Sequence, residues 1–454
     1  MKRIIGLTVA VALVVCPQLH APASAQEAAP STSPRSGRAS VAPQVPDSLT
    51  VEQAVRRVLE THPAVQEARN GVSASEERVQ VQRSLSSPTV VAEGSYSRIG
   101  PTPTLTFNDE TFSLFPANNY VAGLTLRHTL EDGGRRDMAV ERARSFERTA
   151  TENVDLVRTR LAYQTIDAFY AVLFLRRNLQ VQDEEIDALD QHLEIIRGKV
   201  QAGTATDFEA LTTQVRIATA RSQRVDIADA LEQRTIELRD LLGFPADRAI
   251  MPVGDFQADT LNLDVDSLRA AALEQRPELR MARDAEASAE VGSRLAALAD
   301  KPGVNLNLTL GAKNGYVPNI NTIKPNFVAG MSVQLPVYQG DRTRSQVRAA
   351  GADLTTAQSH TTTLERSVTT AVEQAVASVK AAQEKIQTTD VQVRQATAAL
   401  ELAQTRYQAG VVTNLDVLDA ETVLAQARLV QLRARYNLVR SRYRLDQAVG
   451  AKVW

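Results

Sequence analysis

The stretch Arg406-Tyr407-Gln408-Ala409-Gly410-Val411-Val412-Thr413-Asn414-Leu415-Asp416-Val417-Leu418-Asp419 decides the fold, because it reads as the turn of a long helical hairpin. The helical pattern arriving from Leu364 stops at Gly410, which tolerates the left-handed conformation that closes a helix, and Thr413 with Asp416 three positions on has the spacing of a cap for the next helix. A second copy lies 207 positions earlier, where Gln201, Ala202, Gly203, Thr206 and Leu211 repeat Gln408, Ala409, Gly410, Thr413 and Leu418. The opening is duplicated too: Leu263, Val265, Pro277, Ala282 and Arg283 match Leu49, Val51, Pro63, Ala68 and Arg69 at an offset of 214. Two internal repeats are therefore expected, over 48–243 and 263–454, joined by a linker at 244–262 that holds Pro245, Pro252 and Gly254. The two hairpin turns fall at 202–206 and 409–413.

Residues 1–25 read as a secretory signal peptide: Lys2 and Arg3 precede the apolar run 4–16, and Ala23-Ser24-Ala25 offers small residues for cleavage. Residues 26–47 are a Pro-, Ser- and Ala-rich flexible leader. The single cysteine, Cys16, lies in the signal, so the exported part has no thiol for a disulfide, a metal or catalysis. Val15 stands where a lipidation signal wants a small residue, which argues against an acyl anchor on Cys16. Against 53 acidic residues stand 51 basic ones, and without Lys2 and Arg3 the net charge is about −4, which is not the basic surface a nucleic acid needs. No later stretch reaches the roughly 18–20 consecutive apolar residues of a membrane helix, and the densest, 168–175, is far shorter. Barrel strands escape that test because they alternate.

At 88–130 and again at 303–337 the apolar period changes from helical to two, the mark of strands with one apolar face. Val90, Ala92 and Tyr96 alternate with Glu93 and Ser95; Tyr120, Ala122, Leu124 and Leu126 alternate with Gly123, Thr125 and Arg127. In the second repeat Val304, Leu306, Leu308 and Leu310 alternate with Asn305, Asn307, Thr309 and, further on, Lys313, while Phe327, Ala329, Met331, Val333 and Leu335 alternate with Gly330, Ser332 and Gln334. Each strand is read as about 9–11 residues, enough to cross a bilayer when tilted. The connection carrying Pro101, Pro103, Asn108 and Pro116 reads as a long loop. After each strand pair the chain runs without proline, over 117–244 and 337–454, so very long helices are expected. The stretch 135–201 alone would reach roughly 100 Å. Leu364, Val368, Ala371, Ala375, Val379, Ala382 and Ile386 keep the three- and four-residue steps of a coiled-coil seam. Four amphipathic strands cannot close a barrel, and open strand edges do not survive in lipid, so their apolar faces call for several copies of the chain.

The doubled pattern, the Leu49-Thr50-Val51-Glu52-Gln53-Ala54 opening, His62-Pro63 and the turn from Arg406 to Leu418 resemble the TolC-like outer-membrane efflux protein family over about 48–450. The resemblance implies a mixed α and transmembrane β fold: four barrel strands per protomer in a homotrimeric barrel of about 12 strands, and a mostly α-helical coiled-coil tunnel. It implies residence in the outer-membrane lipid of a Gram-negative bacterium, with a large periplasmic part. It also implies that the turns, at Ala202, Gly203, Thr206, Ala409, Gly410, Thr413 and Leu418, dock onto a periplasmic adaptor protein that joins the channel to an inner-membrane pump of the RND or ABC type. By the same resemblance Asp416 and Asp419 ring the periplasmic entrance, Tyr407 joins the links holding the gate shut, and Glu209 replaces an aspartate of the first turn. Where the family pattern has an arginine two after the glycine this chain has Val412, which puts a charged clamp there in doubt.

Blander readings stand beside these. Glu209 and Asp416 each lie three after a capping threonine, so capping and the helix dipole already account for them, and the two roles coexist. Gly203 and Gly410 are helix stops as well as docking tips. Glu93, Arg127 and Lys313 either line a pore or sit solvated near strand ends, and Tyr96, Tyr120 and Phe327 suit an interfacial belt or a soluble sheet. No enzyme, metal or cofactor is expected: His62, His128, His192 and His360 lack an i, i+4 histidine partner, and neither a phosphate loop nor a nucleophile elbow occurs. The pair Glu184-Glu185 reads as a solvated helix face. The competing classes are a periplasmic coiled-coil adaptor, which carries one hairpin between small β domains, and a soluble scaffold, which leaves four alternating strands unexplained.

Overall fold

The computed structural model describes residues 47–107, 110–256 and 263–454. The expected signal at 1–25, the leader up to residue 46 and residues 257–262 of the expected linker lie outside the described residues. In chain order the first repeat holds β1 (Asp47–Leu49), α1 (Val51–Thr61), α2 (Pro63–Ser84), β2 (Thr89–Arg98), β3 (Thr104–Phe107), β4 (Glu110–Ser113), β5 (Asn118–Glu131), α3 (Arg135–Gln201) and α4 (Asp207–Leu241). Then follow β6 (Ile250–Pro252), α5 (Val265–Gln275), α6 (Pro277–Ala297), β7 (Gly303–Lys313), β8 (Lys324–Gln334), α7 (Arg342–Gln408) and α8 (Asn414–Val449).

Each repeat starts the same way for the same chemical reasons. A capping box between Thr50 and Gln53 starts α1, whose buried face is Val51, Ala54, Val55, Val58 and Leu59. Pro63 cannot extend that helix but suits the first position of the next, so the chain bends at His62, whose Nδ1 accepts the Ala64 N–H at 3.2 Å. Asp264 caps α5 in the second repeat, and Arg276-Pro277 makes the corresponding bend. The two longest helices, α3 and α7, have 67 residues each, about 100 Å at the α-helical rise. The shorter helices α2 and α4 both pack on α3, and α6 and α8 both pack on α7.

The core sits where the openings of both hairpins meet. Phe169, Tyr170, Val172 and Leu173 of α3 pack with Val55 and Val58 of α1, Leu238 of α4, Ile250 of β6 and Val439 of α8. The densest apolar stretch after the expected signal is thus the heart of this core. A smaller core joins Ala272 and Leu279 to Val368, Val372, Val376 and Leu445. Two segments depart from the expectation. The connection expected as a loop contains the β3–β4 hairpin, with Thr106 and Thr111 hydroxyls 3.1 Å apart. The linker carries β6, which pairs in parallel with β1, and its Phe244 ring lies between the guanidinium groups of Arg57 and Arg248, at 3.9 and 4.4 Å. These strands have three or four residues each, too few for an alternation to stand out.

The four longer strands form one antiparallel sheet in the order β2-β5-β7-β8. Strand β5 spans 14 residues, longer than expected, because it continues past a bulge between Thr129 and Glu131. The register aligns the apolar positions across the sheet: Val90, Leu126, Leu308 and Ala329 form one row, and Ala92, Leu124, Leu310 and Phe327 another. That face is uncovered in the single chain, with Phe327 at 75 % and Met331 at 68 % exposure. The opposite face is mixed, with Val91, Val121 and Val328 among polar side chains: Arg127 pairs with Glu93 at 3.7 Å, and Thr125 and Thr309 hydroxyls lie 3.2 Å apart. The outer edges of β2 and β8 have no strand partner among the described residues. No helix among them is long and apolar enough to cross a membrane.

The joint between the repeats' strands depends on two facing glycines. Gly123 and Gly311 are register partners, and a Cβ on Gly311 would strike the Ala122 carbonyl, whereas one on Gly330 meets open space. Gly311→Ala is therefore expected to disrupt the β5–β7 ladder and lower both the β-signal in circular dichroism and the midpoint of thermal melting. Gly330→Ala should leave both unchanged, and equal effects of the two changes would contradict the close approach.

Candidate functional site at the paired helical turns

At the end of α3, Gly203 adopts φ +73°, and the Thr204 N–H reaches back to the Lys199 carbonyl at 2.9 Å; at the end of α7, Gly410 has the same φ, and the Val411 N–H reaches the Arg406 carbonyl at 2.9 Å. These left-handed closures satisfy helix-end carbonyls that would otherwise lack donors. Thr206 and Thr413 then start α4 and α8 with complete capping boxes, in which Glu209 and Asp416 return the backbone bond. Asp416 is held below the usual carboxylate range by the Thr413 hydroxyl and then by the Thr413 N–H, with oxygen contacts of 2.6 and 2.7 Å.

The two hairpins are tied together close behind these turns. The Tyr407 hydroxyl, at the end of α7, donates to Glu209 Oε2 in α4 at 3.0 Å. Burial, and next the bond to the Glu209 carboxylate, push the Tyr407 hydroxyl up to about 12, so it remains a donor at neutral pH. Lys199 of α3 donates its Nζ–H to the Tyr407 carbonyl at 2.9 Å and lies 3.8 Å from the ring centroid. Arg216 of α4 faces Asp419 of α8 at 3.4 Å, with both side chains largely in water. Val412, in place of the arginine of the family pattern, packs with the Ile196, Tyr407 and Val417 cluster, so an apolar contact occupies that point.

A buried polar clasp that the sequence did not announce lies beside this link. His192 of α3, 4 % exposed, donates from Nε2 to Asn414 Oδ1 of α8 at 2.7 Å. The Asn414 amide in turn approaches the Glu209 carbonyl at 3.4 Å and Thr213 Oγ1 at 3.3 Å, both in α4. Burial lowers the His192 pKa, which keeps the ring neutral, while the Asn414 bond opposes that shift. The signal was present in one form: His192 shares the helical face of Ile186, Leu189 and Ile196, and a polar side chain on a core face needs a partner.

The expected site residues fall into three groups. Glu209 and Tyr407 come together in the link between hairpins; Asp416 and Asp419 lie exposed on the first turns of α8, one in a cap and one against Arg216. Ala202, Gly203, Thr206, Ala409, Gly410 and Thr413 are exposed at the tips. Leu418, expected at a docking tip, is instead buried among Ile186, Leu189, Leu193 and Ile217 and offers no surface to a partner, whereas its repeat counterpart Leu211 is exposed. Helix α8 rests on the α3–α4 hairpin here, and that packing consumes the leucine. Among the described residues no group of three His, Cys, Asp or Glu side chains is placed to hold a metal ion.

Comparison with known proteins agrees with this architecture. The model of the family described as outer membrane efflux protein matches residues 54–244 and 268–451, one segment in each half of the chain. The outer membrane efflux protein BepC of Brucella suis is 22 % identical over 410 residues, covering 89 % of this chain and 86 % of that protein. The alkaline protease secretion protein AprF of Pseudomonas aeruginosa is 23 % identical over 342 residues, covering 73 % and 70 %. Among solved structures, the outer membrane protein VceC of Vibrio cholerae superposes with a TM-score of 0.77 at 18 % identity, covering 89 % of this chain and 97 % of that one. The open-state MtrE outer membrane channel of Neisseria gonorrhoeae gives 0.72 at 18 % identity, covering 88 % and 89 %. The chain belongs to the outer membrane efflux protein family, a family of outer-membrane channels.

Proposed function

We propose that three copies of this chain form an exit duct, in which the four-stranded sheets close a 12-stranded barrel in the outer membrane and the long helices form a periplasmic tunnel about 100 Å long. The observation that carries this reading is the sheet, whose apolar rows run unbroken across β2, β5, β7 and β8 and whose outer strands are left with open edges. In hydrocarbon every backbone N–H and C=O must be paired within protein, and closure with sister sheets is what pairs both edges. An adaptor or a soluble scaffold would leave that face without a use.

The inner end is then the pair of turns. Asp416 and Asp419 supply exposed negative charge there, and threefold repetition makes rings of them. The Tyr407–Glu209 bond, the His192–Asn414 clasp and the Arg216–Asp419 pair hold the α7–α8 hairpin on α3 and α4, so opening must break them. The exposed, small-residue tips at Ala202, Gly203, Ala409 and Gly410 suit close approach of a periplasmic adaptor, through which an inner-membrane pump of the RND or ABC type would deliver cargo.

Two sets of substitutions test the gate. Tyr407→Phe leaves the Glu209 oxygen without its donor, a loss of roughly 1.5–3 kcal/mol for a bond to a charged group, and resting conductance in planar bilayers should rise about tenfold or more. Arg216→Ala removes an exposed pair worth about 0–1 kcal/mol and should raise it far less; the reverse ranking would contradict the proposed lock. Asp416→Asn together with Asp419→Asn keeps an acceptor for Thr413 while removing charge. Block of single-channel current by divalent cations should weaken, and unchanged block would remove both carboxylates from the entrance.

A further inference from the structure

Glu421 stands apart from every other carboxylate among the described residues: both of its oxygens are buried and neither has a hydrogen-bond partner. The side chain is 5 % exposed in α8, just behind Asp419. The neighbouring elements do little to compensate a charge there. Helix α3 presents Glu185, a like charge and not the solvated residue expected from the sequence, since it is half-buried and held by the Gln182 amide at 2.8 Å. Helix α4 contributes Arg216, which is engaged with Asp419 and whose charge acts on Glu185. Helix α7 brings the uncharged Gln404, whose amide favours the ionised form but makes no well-formed bond to either oxygen. An anion so placed is disfavoured relative to one in water, so the neutral acid persists to higher pH.

We propose that Glu421 is a proton-loaded latch, entering the closed packing as the neutral acid, so that loss of its proton loosens the α7–α8 hairpin from α3 at the inner end. This rests on reading that end as the gate. A groove of about 480 Å³ between α3, α4 and α8 is lined by Glu185, Arg216 and Thr422, the chain neighbour of Glu421, so solvent lies one residue away and a small opening of the packing admits proton exchange. Nor can a sister copy supply a cation to it without rearrangement, because the oxygens are already covered within one chain.

Burial, reinforced by Glu185 and opposed by Gln404, raises the Glu421 carboxyl from 4.5 to about 7. A carboxyl raised on packing gives its full support below its ordinary value and loses it as the pH climbs to the raised one. Closure is thus tight in acid and slackens between 4.5 and about 7. His192 has the opposite sign: its lowered value supports closure above 6.5 and withdraws that support as the pH falls. Comparison of wild type with Glu421→Gln isolates the glutamate. At tenfold per pKa unit, the shift bounds the change in the closing equilibrium at about 300-fold.

The test uses the full chain, purified in mild detergent as its native assembly. In pH-difference infrared spectra, wild type should show a protonated-carboxyl band that titrates near neutrality and is absent from Glu421→Gln; a band titrating in the ordinary carboxylate range, or no difference, overturns the proposal. In planar bilayers, resting conductance of wild type should rise at least several-fold from about pH 5 to about pH 8 relative to Glu421→Gln; identical profiles overturn it. If neither form passes current, the gate reading fails and takes the latch with it, while the infrared band still reports whether the buried proton exists.

Discussion

A peptide group in hydrocarbon has no water to turn to, and the outer edges of β2 and β8 are rows of peptide groups without strand partners among the described residues, beside a continuous apolar face. The proposed assembly of the sheet follows from that constraint. In the proposed barrel the apolar rows face lipid, the open edges take strands from further copies, and the facing glycines Gly123 and Gly311 bring the strands of the two repeats close enough to share one ladder. The duplication therefore serves a physical end: each repeat contributes one strand pair, and neither pair could stand alone.

The helical part works on a different principle. Its tightest packing is near the openings of the hairpins, around Phe169 and Leu238, where apolar burial supplies the stability. Toward the turns the apolar clusters become small and polar links take over: Tyr407 with Glu209, His192 with Asn414, Lys199 with the Tyr407 carbonyl. Hydrogen bonds of this kind contribute about 1–3 kcal/mol each and are lost abruptly when geometry fails, whereas a deep apolar core would resist separation gradually and strongly. A lock of the kind proposed, which must hold and yet release, is better made of a few such bonds, and in that proposal the buried Glu421 beside them weighs the balance by pH.

Local rules in the sequence reach far here. Gly203 and Gly410 are legible because a left-handed closure needs glycine, the caps because threonine and an acid three positions on form a fixed pattern, and the four strands because alternation over ten residues leaves a clear trace. Proline-free stretches mark the two 67-residue helices. What stayed hidden depends on pairing between distant segments. His192 and Asn414 are 222 positions apart, and nothing local in either says that they meet. Leu211 and Leu418 are identical repeat positions, yet one is exposed and the other buried, because only α8 rests on the opposite hairpin at that level. Glu185 and Glu421 look like solvated helix charges for the same reason. The β3–β4 hairpin and β6 leave no trace in the sequence because their strands are too short to show a period.

The central claim, that β2 of one copy pairs with β8 of the next, is open to direct measurement by disulfide crosslinking. Because Cys16, in the expected signal, is the sole cysteine, a pair of introduced cysteines, one in β2 and one in β8, reports on those edges. Doubly substituted chains, oxidised in intact cells and run under denaturing conditions without reductant, should yield a covalent ring of three chains for pairs in register and none for pairs one residue out of register. Single chains at every pair, or crosslinked ladders that continue beyond three, would contradict the account.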